Sequence, residues 1–99
     1  MIHIVEREDA LADDQPGFID TLKRHHWTVK HLGTGDCVVC STSMYEAAAN
    51  GMSLHIEKVC VYSTRFIDIS MPASQKPSIT EQFTRMGIRF NDGASHWDE

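Results

Sequence analysis

The spacing of apolar and polar positions predicts a chain of short elements. Ile2, Ile4 and the β-branched Val5 open with the period of a strand. Asp13 and Asp14 precede Pro16, after which Phe18, Ile19 and Leu22 share one stripe and Lys23, Arg24, His25 and His26 follow. Acid before an apolar stripe and base behind it complement the helix dipole, so this stretch predicts a helix. Residues 27–32 read as a strand with Trp27, Val29 and His31 on one face. Gly33-Thr34-Gly35-Asp36 reads as a turn, and Cys37-Val38-Val39-Cys40 as a short apolar strand completing a hairpin.

Ser43 and Glu46 stand at capping-box spacing, and Ala47, Ala48 and Ala49 continue a helix that Asn50-Gly51 can close. The rival reading makes Asn50-Gly51 a hairpin turn, but three alanines favour the helix. Residues 52–71 are strand-like. Leu54 and Ile56 share one face, Val59 and Val61 the other, which predicts a bulge between them. Ile67, Ile69 and Met71 alternate again after a turn near Ser63-Thr64. Pro72 and Pro77 bound a loop, and Ser78 and Glu81 repeat the capping-box spacing ahead of a stripe of Ile79, Phe83 and Met86 that Gly87 stops. Ile88-Arg89-Phe90 reads as a last strand. The order β-α-β-β-α-β-β-α-β predicts a single α+β domain over residues 1–93, a mixed or antiparallel sheet with helices packed on one face. Residues 94–99 form a polar tail.

Composition narrows the function classes. Ninety-nine residues suit one domain, and 41% hydrophobic with 23% charged residues is ordinary globular usage. No apolar run nears the roughly 18 residues of a membrane span. The opening reads as a strand rather than a signal peptide, so a cytoplasmic location is expected. Nine basic residues face 14 acidic ones, a net charge of −5. Such a chain does not favour the nucleic-acid backbone, so no direct nucleic-acid partner is expected. Three cysteines are an odd number, which argues for reduced thiols.

Cys37-x-x-Cys40, with Cys60 and six histidines, raises the question of a zinc or redox site. Placed in a strand, residues three apart point to opposite faces, so the two thiols are expected to be core cysteines. No metal ligands, no cofactor and no catalytic set are nominated. His25-His26-Trp27 reads as a helix C-terminus leading a tryptophan into the core, and alternatively as a contact surface with an aromatic anchor. Tyr62, Phe66 and Trp97 lie in or beyond the strand-rich half, where an open sheet edge invites another chain. The candidate partner-binding residues are therefore His26, Trp27, Tyr62, Phe66 and Trp97.

Ile4-Val5-Glu6-Arg7-Glu8, a helix, and then Leu32-Gly33-Thr34-Gly35-Asp36-Cys37-Val38-Val39 resembles the first half of ERCC4-type nuclease domains. The resemblance implies a metal site in which Asp36 and a later Glu-x-Lys unit activate water. Here that unit reads His55-Ile56-Glu57-Lys58, with Glu57 and Lys58 adjacent and so on opposite faces of a strand. Asp68-Ile69-Ser70-Met71-Pro72 resembles a segment of response-regulator receivers, but too few elements follow it for that fold. The reading is a small non-enzymatic regulatory or inhibitory protein that binds another protein, its acidity steering it toward a basic surface such as a nucleic-acid-binding face. A homodimer through a sheet edge is a further expectation. The alternative is a divergent, inactive relative of the nucleases built around Asp36 and Glu57.

Overall fold

In the computed structural model, which describes residues 2–7 and 17–92, Asn50 and Gly51 both hold left-handed backbone, with φ of 50° and 80°. Two such residues in a two-residue loop make the turn whose twist matches paired antiparallel strands. It joins β3 (Cys40–Ala49) to β4 (Met52–Val61) with Ala49 opposite Met52. The helix expected over residues 43–49 is therefore strand. A ten-pair ladder outweighs a helix propensity worth at most about 0.7 kcal/mol per residue.

The other elements are β1 (Ile2–Arg7), α1 (Phe18–Arg24), β2 (Thr28–Asp36), β5 (Thr64–Ser70), α2 (Lys76–Arg85) and β6 (Asn91–Asp92). The strands form one antiparallel sheet in the order β2-β3-β4-β5-β1-β6. Cross-strand register places Ile2, Ile4, Ile67, Ile69, Ile56, Leu54 and Ala47 on one face. The same buried cluster contains Phe18 and Leu22 of α1 and Ile79 and Phe83 of α2, so both helices cover that face. The α+β class and the one-sided helix layer agree with the sequence reading.

Other details differ from the sequence reading. No bulge interrupts β4; Val59 and Val61 simply belong to the face that neither described helix covers. The register shift lies in β2, between His31 and Gly33. Helix α2 begins at Lys76 with Pro77 in its first turn and no side-chain cap, because the fixed φ of proline suits that position. Glu81, expected to close a capping box, pairs with Arg85 at 2.7 Å instead. The strand expected at 88–90 is not formed; Asn91 and Asp92 pair with β1, and Lys76 bonds Asp92 at 2.7 Å. That hydrogen bond holds the Asp92 carboxyl below its ordinary range. The tail expected at 94–99 lies outside the described residues.

Both helices end the same way. In α2, Gly87 (φ 78°) donates to the Thr84 carbonyl and Ile88 to that of Phe83. In α1, His26 (φ 68°) donates to Lys23 and Trp27 to Leu22. These are Schellman ends, with an apolar residue folding back beside the helix after the left-handed position. Trp27 thereby joins the core at 5% exposure. At the other end of α1, the Glu6 carboxylate accepts the Phe18 N–H at 2.9 Å, an anion at a helix N-terminus.

Two substitutions test this account by urea denaturation. Phe83 is fully buried and meets Phe18 edge-on at 5.5 Å. Phe83→Ala should cost about 3–5 kcal/mol. His26→Gly removes a Cβ from a left-handed position and should raise stability by up to about 1 kcal/mol; a loss on this substitution contradicts the strained cap.

Candidate functional site at the hairpin end

Strands β2 and β4 run toward one end of the sheet, and β3 and β5 return from it. The loop between β2 and β3 and the Tyr62-Ser63 loop between β4 and β5 consequently sit side by side. The row Cys40–Val61–Thr64–Arg7 across four strands fixes this alignment. Val38 is fully exposed (101%), Tyr62 83% and Val39 54%, the three most exposed large hydrophobic residues among those described. Tyr62 also holds a left-handed φ of 54°, which a non-glycine residue adopts at a cost.

Apolar surface also lies near these tips, on the face that neither described helix covers. One row inward, Val5, Phe66 and Val59 are cross-strand neighbours. Val5 and Met44 are exposed, while Phe66, Val59 and Val61 are half-buried. His3 lies on this face as well, buried, with Nδ1 2.8 Å from Asp68 Oδ1.

The cysteines are not where the sequence reading put them. Strand β2 absorbs Gly33 and Gly35 into its ladder, which ends at Asp36 opposite Ser41. Cys37-Val38-Val39-Cys40 is therefore the turn, closed by the Cys37 N–H donating to the Cys40 carbonyl at 2.9 Å. In a turn, residues three apart come together, here with Cα atoms 5.0 Å apart, and Cys37 and Cys40 form a disulfide. Neither is a core cysteine: Cys37 is exposed and Cys40 half-buried. Cys60 keeps a free thiol. The missed signal was that both glycines can sit in an edge strand, which moves the turn four residues on.

The remaining candidates scatter. Trp27 is core, which corrects its assignment as a contact residue. His26 is exposed at the C-terminus of α1, at the end of the sheet away from the tips. Tyr62 and Phe66 fall at or near the hairpin end. Trp97 lies outside the described residues.

The metal pair of the nuclease resemblance comes apart. Asp36 shares a row with Ser41 and Cys60, on the helix side, whereas Glu57 lies between Met44 and Asp68 on the other face. One ion cannot reach both. Lys58 stands over the Tyr45 ring at 5.6 Å. Among the described residues, no group of three or more His, Cys, Asp or Glu side chains is assembled to hold a metal.

At the end of the sheet away from the tips lies a groove of about 560 Å³ whose lining includes Ala48. The cross-strand row Lys30–Glu46–His55–Ser70 borders it. Among the described residues, no helix is long and apolar enough to cross a membrane. No protein-family model, curated protein or solved structure matches the chain.

Side chains this exposed bury nothing that folding needs. Val38→Ser and Val39→Ser should each leave stability within about 0.5 kcal/mol of the parent, read from urea or thermal melts. A larger loss would make the tip part of the folding core.

Proposed function

We propose that the chain is a small regulatory or inhibitory binding protein whose hairpin end inserts into another protein. The observation that carries this reading is the convergence of Val38, Val39 and Tyr62 at one end of the sheet. A protruding apolar tip with an aromatic beside it supplies anchors of the kind that dominate protein interfaces. The short covalent ring around Val38 and Val39 limits the conformations that binding would have to freeze out.

Charge suggests the partner's character. The chain carries 14 acidic against nine basic residues, a net charge of −5. Asp36 stands exposed at the base of the β2–β3 tip. An apolar anchor with acid beside it matches an apolar cleft rimmed by Lys and Arg, such as the margin of a nucleic-acid-binding surface. Occupying that cleft would mask the basic surface without this chain binding nucleic acid itself.

The test is capture of a protein from nuclease-treated lysate on the immobilised full chain, in parallel with V38D, Y62A and the remote control E81Q. The parent and E81Q should retain one stoichiometric protein that V38D and Y62A lose, with retention falling as salt rises. Equal retention by V38D and Y62A overturns the hairpin-end reading.

A second reading has its own observation. Strand β2 is a nine-residue edge with no described strand on its outer side. Another copy of the chain adding there would make a homodimer. Lys30 and the irregularity at His31/Gly33 are features that discourage such pairing. A monomeric mass at all concentrations removes this reading.

A further inference from the structure

We propose that Cys37 and Cys40 form a thiol–disulfide exchange site that cycles with low-molecular-weight thiols of the glutathione class. Three observations converge. The pair is already bonded, within a four-residue turn that holds the two sulfurs together. It is open to attack, because Cys37 is exposed and the intervening Val38 and Val39 project away from the sheet. The core is also built without the bond. Neither sulfur belongs to the buried cluster, and the ladders from Asp36–Ser41 inward and from Cys40–Val61 inward hold β2, β3 and β4 together. Structural disulfides resist reduction by the glutathione pool, whereas exposed ones are the more labile kind.

The chemistry balances as two successive displacements. A thiolate of glutathione attacks Cys37 Sγ, the sulfur–sulfur bond breaks, and Cys40 leaves as a thiolate that takes up a proton. A second glutathione thiolate attacks the glutathione sulfur of the mixed disulfide and releases Cys37 as a thiol once it is protonated. Two electrons pass to the protein, and two glutathione molecules leave as glutathione disulfide. In reverse, the Cys37 thiolate attacks glutathione disulfide and releases one glutathione thiolate, and the Cys40 thiolate then attacks Cys37 Sγ of the adduct, expelling the second and closing the turn again. Cys60 takes no part: it lies on β4, opposite Ser41, outside the turn.

Native full-length chain equilibrated in buffers of graded glutathione to glutathione-disulfide ratio, acid-quenched, alkylated and read by peptide mass spectrometry tests the site. The Cys37–Cys40 pair should pass from closed to open across the series with the circular-dichroism spectrum unchanged. C60S should behave as the parent, and C40S should accumulate a glutathione adduct on Cys37. A pair that stays open throughout, stays closed until denaturant is added, or loses its cycling in C60S overturns the proposal. Absence of the Cys37 adduct in C40S does the same. The readout uses the free chain, so it stands or falls separately from the binding reading.

Discussion

The register of β3 on β4 is the constraint on which the rest depends. Side chains alternate along a strand, so a slip of one residue would turn Leu54 and Ile56 out of the core and bring Glu57 and Val59 in. The Asn50-Gly51 turn prevents that slip by joining Ala49 directly to Met52. With β4 fixed, β5 and then β1 align their isoleucines on the same side, and α1 and α2 have one apolar surface to cover. Strand β2 follows from the opposite flank. The two hairpin tips end level because they terminate ladders that share β3 and β4.

Much of this was legible in the sequence, for reasons that differ by element. The stripes of Phe18 and Leu22 and of Ile79 and Phe83 are strong helical signals, and Gly87 marked its helix end correctly. The alternation of Ile67 and Ile69 gave β5 directly. The region from 33 to 49 misled because its local preferences compete with its pairing. Alanines and a capping-box spacing favour a helix locally, while Asn50-Gly51 and the partner strand favour a hairpin, and the non-local pairing wins. Two glycines in β2 imitated a turn and so hid the true one. That single displacement concealed the disulfide, since cysteines three apart diverge in a strand and converge in a turn. Of the candidate site, Tyr62 and Phe66 were visible as aromatics in the strand-rich half; Val38 and Val39 read as part of an apolar strand because their environment, not their chemistry, makes them a surface.

The two faces of the sheet have different energetic roles. On the helix side, side chains are buried and interlocked, and their identity is explained by folding. On the other side, His3 and Asp68 are paired and buried or half-buried, but Val5 and Met44 remain in water. Scattered exposed apolar residues are normal on any protein. Here Val5 lies one row in from the hairpin end, beside the half-buried Phe66, and that nearness to the exposed tips is what the proposed binding role rests on. In the chain-entropy account a ring of four residues restricts the unfolded chain by about 2 kcal/mol, less than the roughly 3 of a fifteen-residue loop. Its effect is concentrated on the shape of the tip.

Strand β3 stays paired to β4 out to the Cys40–Val61 row, so an extension of the β2–β3 hairpin beyond that row would be a two-stranded finger whose length is separate from the fold beneath it. Adding two residues to each strand between the Asp36–Ser41 pair and the disulfide would preserve every inward and outward position below. It would carry the Cys37–Cys40 tip about 7 Å further from the sheet, at roughly 3.4 Å per residue. Adding one residue to each would extend it by about 3.4 Å but turn the tip to the opposite side. The finger's reach can therefore be adjusted only in even steps, while Tyr62, on its own short loop, stays where it is. Relative reach of the two tips is a parameter this architecture can vary in sequence without touching its core.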